Sequence, residues 1–189
     1  MFITVSGPPG SGKSTTAAAL AERFGLEHTS GGDIFRGLAD EKDISLAELN
    51  SRAESDPAID RDLDRRLHEI ATDADDLVLE SRLAGWLSGD HADFRVWLDA
   101  PVTVRAERIA EREDKAVDVA REETIEREAS EAQRYLDYYD IDIEDLSIYD
   151  VVLNTARWGE ADVPELLAAA VEHHDPEADE GKVPVGFDL

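Results

Sequence analysis

The chain has 189 residues, 42% of them hydrophobic, enough for one domain with a proper core and too apolar for a disordered chain. It contains no cysteine, which excludes disulfides and thiolate metal sites. Aspartate and glutamate total 45 against 19 lysines and arginines, a formal −26 spread along the chain, and this sign excludes a nucleic-acid binder that works by neutralising phosphates.

In chain order, "FITVS" (2–6) reads as a short apolar strand, followed by a helix from Gly12 to about Phe24 that Gly25 stops. "LEHTS" (26–30) reads as a second strand. Residues 31–42 and 45–72 are polar and helical, with Leu46, Leu49, Ile59, Leu63, Leu67 and Ile70 at helix spacing and Asp56-Pro57 suited to a helix start. "LVLE" (77–80) and "FRVWLDA" (94–100) are the third and fourth strands. Pro101 opens a helix to about Glu113, and "REDKAVD" (112–118) is a charged break before a long helix over 119–139. "DVVLNT" (150–155) is a fifth strand and 162–173 a last helix, after which 175–189 is an acidic, loose tail. Strands alternating with helices imply an α/β fold, a parallel sheet covered on both faces with ligands beyond the carboxyl ends of its strands.

Self-repulsion at −26 should weaken the compact state in dilute salt. At molar salt the Debye length falls to about 3 Å and the repulsion is screened, so the composition reads as adaptation to a salt-rich cytoplasm, the plain alternative being an ordinary acidic protein. No signal or transit peptide fits before Gly7, and no uncharged apolar run approaches the roughly 20 residues that span a bilayer. A soluble cytoplasmic protein, without a nucleic-acid or membrane partner, is expected.

Gly7, Gly12, Lys13 and Ser14 fill the spacing G-x-x-x-x-G-K-[ST] between a strand and a helix, with Pro8, Pro9, Gly10 and Ser11 as its intervening residues and Thr15 next in the chain. Backbone N–H groups of such a loop and the helix N-terminus face phosphate oxygens. Lys13, one of four lysines in the chain, is placed to bridge the β- and γ-phosphates, and the Ser14 hydroxyl to ligate Mg²⁺. The loop alone fits a GTPase switch, an ATPase or binding module, or a small-molecule kinase. A switch needs a guanine-reading Asn-Lys-x-Asp segment, which "DVVLNTARWGE" lacks. A kinase needs arginines for a second substrate. Arg36 follows the second strand, Arg82 the third, and Arg127, Glu131 and Arg134 share one helix face. The plain alternative for that face is a solvated salt-bridge ladder.

Over residues 1–173 the chain resembles the nucleoside monophosphate kinases, and within them the archaeal-type cytidylate kinases, through "SGPPGSGKST", "SGGDIFR", "LESRLAGW", "VWLDAP", "RAERIAERE" and "EREASEAQRYLDYYDID". The resemblance implies a three-layer P-loop kinase fold in a single domain, 1–174, with a five-stranded parallel sheet flanked by helices. A helical monophosphate-binding insert would occupy about 31–72 and a short lid about 108–118. It implies phosphoryl transfer from ATP to CMP, with dCMP also accepted, by a monomer using Mg²⁺. ATP would lie on Gly7 to Thr15 under the lid residues Arg108 and Arg112. Ser30, Asp33, Arg36, Ser81, Arg82 and Glu131 would meet the monophosphate. Arg127 and Arg134 would hold the transferring group, and Glu80 would stand in the outer shell of Mg²⁺. The ordinary alternatives are Ser30 as a helix cap, Glu80 as a strand-end acid, and Arg108 and Arg112 as partners of Glu111 and Glu113. The S-x-G-D-x-x-R run from Ser30 to Arg36 is equally like adenylate kinase, but the Gly-Phe-Pro-Arg motif of that family is absent after the third strand and the lid is short.

Overall fold

Burial follows the composition of the strands. The computed structural model describes residues 1–53, 55–175, 178 and 181–186, with the backbone alone at 46, 47 and 50. Strands β1 (Phe2–Ser6) and β3 (Leu77–Glu80) are buried along their whole length, as near-continuous apolar runs require of central strands. Strand β2 (Glu27–Ser30) is mostly open, and β5 (Val151–Asn154) alternates, as edge strands do. With β4 (Phe94–Asp99) they form one five-stranded parallel sheet in the order β2-β3-β1-β4-β5. The expected fold class is observed.

One face of the sheet is covered by α1 (Lys13–Phe24) and α8 (Asp162–His173), where Leu20, Ala17, Val163 and Leu167 pack on Ile3, Val5, Val96 and Leu98. The other face holds Phe2, Leu79 and Trp97 against Leu67 and Ala71 of α4 (Pro57–Asp73), Leu87 of α5 (Ala84–Leu87) and Tyr135 of α7 (Val117–Tyr139). Helices α2 (Gly31–Glu41), α3 (Leu46–Ala53) and α4 enclose a small core of their own, with Leu38, Leu49 and Ile59 at its centre. The side chain of Leu46, placed on that apolar face by spacing, lies outside the described residues. Helix α4 begins where Asp56-Pro57 predicts: the Asp56 carboxylate accepts the Ala58 N–H at 3.0 Å and Pro57 takes the first position.

Three features differ from the sequence reading. The charged break expected over 112–118 shrinks to Asp114–Ala116, because α6 (Val102–Glu113) runs on to Glu113 and α7 starts at Val117. Asp114 makes the turn in the left-handed region at φ 51°, and Lys115 bridges Glu113 at 2.7 Å and Glu123 at 2.5 Å. Arg108 and Arg112, expected on a lid, therefore sit on a regular helix. Helix α5 has no counterpart in the reading: four residues carry too little periodicity to register. The segment read as a loose tail is partly docked. Val185 is buried among the apolar residues below the sheet, its N–H donates to Asp90 Oδ1 at 3.0 Å, and Lys182 Nζ donates to the Asp90 carbonyl at 3.2 Å. Residues 176, 177, 179, 180 and 187–189 of that segment lie outside the described residues.

Candidate active site

Gly7, Ser30, Ser81, Ala100 and Thr155 each follow or end a strand, and the parallel pairing brings these five points to the carboxyl edge of the sheet. The loop after β1 leaves the centre of that edge. Gly7 takes φ 145°, and a Cβ there would sit 2.0 Å from the Leu98 carbonyl oxygen, so only glycine lets the loop lie this close to β4. Gly12, at φ 95°, turns the chain into α1. Lys13 folds back over the loop and donates to the Pro8 carbonyl at 3.0 Å. Desolvation lowers its pKa from the ordinary 10.5 to about 8, against the opposing pull of Glu80.

Sheet register builds the next layer. Glu80 stands opposite Val5 on one side and Ser30 on the other. Its Oε1 accepts from Ser14 Oγ at 2.9 Å and from Ser30 Oγ at 2.6 Å. Ser30 also caps α2, accepting the Asp33 N–H at 3.3 Å, so the cap reading holds for Ser30 alongside its link to Glu80. Ser14 and Glu80 thus present two hard oxygen donors side by side at the loop, a donor set that suits Mg²⁺. Among the described residues no three acidic or imidazole side chains cluster to hold a metal unaided. Mg²⁺ held here would take its remaining ligands from phosphate oxygens and water.

Beyond the loop, Glu131 is the centre of the arginines. It lies buried, accepting from Arg127 Nε at 2.7 Å and pairing with Arg82 Nε at 3.3 Å. Burial pushes its pKa up, but Arg127 and then Arg82 outweigh that and the net shift is downward, so the carboxylate is charged. Arg82 lies over the Trp97 ring at 5.4 Å, and its buried Nη1 makes no hydrogen bond. A buried guanidinium with an unspent donor is the kind of group an anionic ligand completes. The Ser81 hydroxyl next to it is likewise buried without a partner. Arg127 keeps 56% of its side chain exposed, leaving its guanidinium tip open.

Arg134 departs from the shared face. It turns to α4, donating from Nε to Asp60 Oδ2 at 2.6 Å and from Nη1 to Ser130. Arg36 is exposed and pairs with Asp33 one turn away. Arg112 is exposed and pairs with Glu113 at 2.5 Å, as the plain alternative had it. Arg108 is fixed instead: its Nη1 donates to the Gly10 carbonyl at 3.1 Å and to Thr155 Oγ1 at 3.0 Å. Arg108 and Arg112 border a cavity of about 410 Å³ behind the loop, shared with Thr15, Thr155 and Glu160.

Three participants escaped the sequence reading. Thr155 donates to the Ser11 carbonyl at 2.9 Å from 144 residues away. It follows a strand, the signal that had singled out Ser30 and Ser81, and could have been found that way. Asp60 and Arg105 gave no such sign, because their partners are distant in the chain.

A parallel sheet in this order, with a phosphate loop at its central strand and arginines facing that loop, defines a P-loop kinase. Solved structures of this shape include shikimate kinase from Acinetobacter baumannii, with a TM-score of 0.62 at 15% identity over 90% of this chain and 92% of that one, a likeness of fold alone. The chain belongs to the cytidylate kinase-like family, whose model matches residues 2–157. It is 68% identical to a cytidylate kinase of Halorubrum lacusprofundi over 185 residues, 98% of this chain and 96% of that protein. It is 48% identical to one of Pyrococcus horikoshii over 181 residues, 96% and 93% of the two chains.

Proposed function

We propose that this protein transfers the γ-phosphoryl group of ATP to CMP, giving ADP and CDP, and accepts dCMP as well. Family membership supports the reaction, and the observation that carries it to this chain is the Arg82–Glu131–Arg127 cluster within electrostatic reach of Lys13 on the phosphate loop, with a buried donor of Arg82 unspent.

In this reading the loop amides and Lys13 hold the β- and γ-phosphates, and Arg108 and Arg112 border the space for the rest of ATP. Ser14 would bind Mg²⁺ directly and Glu80 through its outer shell; the ion when bound neutralises charge on the transferring group. Arg36 leaves Asp33 to meet the acceptor phosphate, and Arg82 and Ser81 supply donors to the monophosphate. Arg127 turns its open tip to the transferring group, and Arg134 stands behind it, joined to Asp60. Glu131 keeps the arginines apart and oriented. The acceptor is a phosphate oxygen whose second pKa is about 6, mostly a dianion near neutral pH, so no general base is required. Catalysis is positioning and charge stabilisation in a site closed to water.

ADP formation from ATP and Mg²⁺, measured with CMP, dCMP, UMP, AMP and GMP from low to molar salt, tests this. CMP and dCMP should stimulate most. Strongest stimulation by AMP would make it an adenylate kinase, and no stimulation by any acceptor would favour an ATPase.

A further inference from the structure

Arg105 lies in the first turns of α6 with 6% of its surface exposed, in a helix whose other inward residues are Ala106, Ile109 and Ala110. A buried arginine in such company must be matched by acceptors. The match is almost complete, and it comes from three different parts of the chain. Nε donates to the Ala100 carbonyl at 2.7 Å, fixing the end of β4. Nη1 donates to the Pro9 carbonyl of the phosphate loop at 3.2 Å and to Glu128 Oε1. Nη2 donates to Glu128 Oε2 at 3.1 Å. Four of five N–H groups are thus used.

The loop is also packed on this residue. A Cβ on Gly10 would meet the Arg105 carbonyl oxygen at 2.8 Å and its Cβ at 3.0 Å, so the outer side of the loop rests on Arg105 itself. Glu128 belongs to α7 and follows Arg127 directly in the chain. One planar guanidinium therefore touches both halves of the site: the backbone that would hold the donor and the helix that carries an arginine for the transferring group.

We infer that Arg105 is a positioning residue which, through its fork onto Pro9 and Glu128, sets the register between the phosphate loop and Arg127. The inference rests on the proposed ATP-to-CMP transfer, in which these two parts meet across the moving phosphoryl group. In that reading Arg105 acts through its protein partners and not on a nucleotide. Its effect is on alignment, and a misplacement of about 1 Å can cost on the order of 10²-fold in rate. Lysine keeps the charge but offers its donors from one point, so it cannot span Ala100, Pro9 and Glu128 together.

Arg105→Lys and Glu128→Gln test this, each alone and in combination, by two readouts. Amide hydrogen exchange over residues 10–13 should speed up about tenfold in either variant while the central strands keep their protection. In the CMP assay kcat should fall at least about tenfold with KM for CMP held within about threefold, and the double variant should lose little more than either single one. Glu128→Gln alters only the α7 end of the link and carries the test should Arg105→Lys fail to fold. Unchanged loop exchange in Glu128→Gln, or additive losses in the double variant, would overturn the inference, as would lowered thermal stability with kcat intact. A wild type without CMP-dependent turnover would sink the transfer reading alone, and the exchange result would still decide the link.

Discussion

Lys13 donates to Pro8 from a half-buried position beside Glu80, and desolvation takes its pKa from 10.5 to about 8. The sign follows from the proton count. Between pH 8 and 10.5 the unfolded chain keeps a proton that the folded chain has shed, so Lys13 makes stability rise with pH across that window; below pH 8 the cost of desolvating the cation is present in full. Phosphates at the loop reverse this by favouring the cation. ATP binding near pH 9 should then take up protons, read by calorimetry in buffers of different ionisation enthalpy. Uptake should vanish in Lys13→Ala, and its absence from the wild type would mean that the ammonium is already fully charged in the empty loop. The same variant should lose turnover while melting as a folded protein. Arg127, with its tip exposed and only Nε engaged, is free for the role proposed; Arg127→Ala should lower kcat by a factor on the order of 10³, and near-normal turnover would refute that role.

Helices α4 and α7 meet through polar groups. Arg134 holds Asp60, and Tyr139 donates its hydroxyl to Asp64 Oδ2 at 2.8 Å. Burial raises the pKa of Asp64 to about 7, more than the Tyr139 bond lowers it. Between about pH 4 and 7 the folded protein binds a proton that the unfolded chain has lost, so this residue makes stability fall as pH rises through that window. Asp64→Asn keeps an acceptor for Tyr139 and removes the titration. It should stabilise the protein at pH 8 by on the order of 2 kcal/mol and flatten the decline relative to wild type, seen in melts across pH. An unchanged difference between pH 4 and 8 would count against it. At this scale the sequence was readable where an element is long or capped: α4 starts on Asp56-Pro57, and α8 spans the residues its pattern marks. It failed where three residues, Asp114 to Ala116, turn between α6 and α7, because like-charged helix and like-charged loop look the same in composition.

The whole molecule carries −26 on 189 residues, and no single pair offsets that. Many ion pairs among the described residues lie on the surface, such as Arg23–Glu172 and Arg52–Glu48, where each contributes little. A charge of this size fits adaptation to salt, which we propose for this chain. The melting temperature should climb steadily from about 0.1 M salt to molar salt as repulsion is screened. Full stability and full activity in dilute buffer would overturn that adaptation. Among the described residues no helix is long and apolar enough to cross a membrane.

By itself the sequence determined what is local: five strands, the long helices, and a phosphate loop complete within Gly7 to Thr15, because periodicity and turn chemistry act over neighbours in the chain. Strand-end position also brought Arg82 and Glu80 into view. Tertiary structure alone decided which charges belong together. Arg127 and Arg134 share a helix face, yet one goes to Glu131 and the other to Asp60, and Arg105 rather than Arg112 is locked against the loop. Partners of a buried charge are chosen by whatever acceptors packing brings beside it, here 74 residues away for Arg134 and 96 for Arg105 at Pro9, distances along the chain that no spacing rule spans.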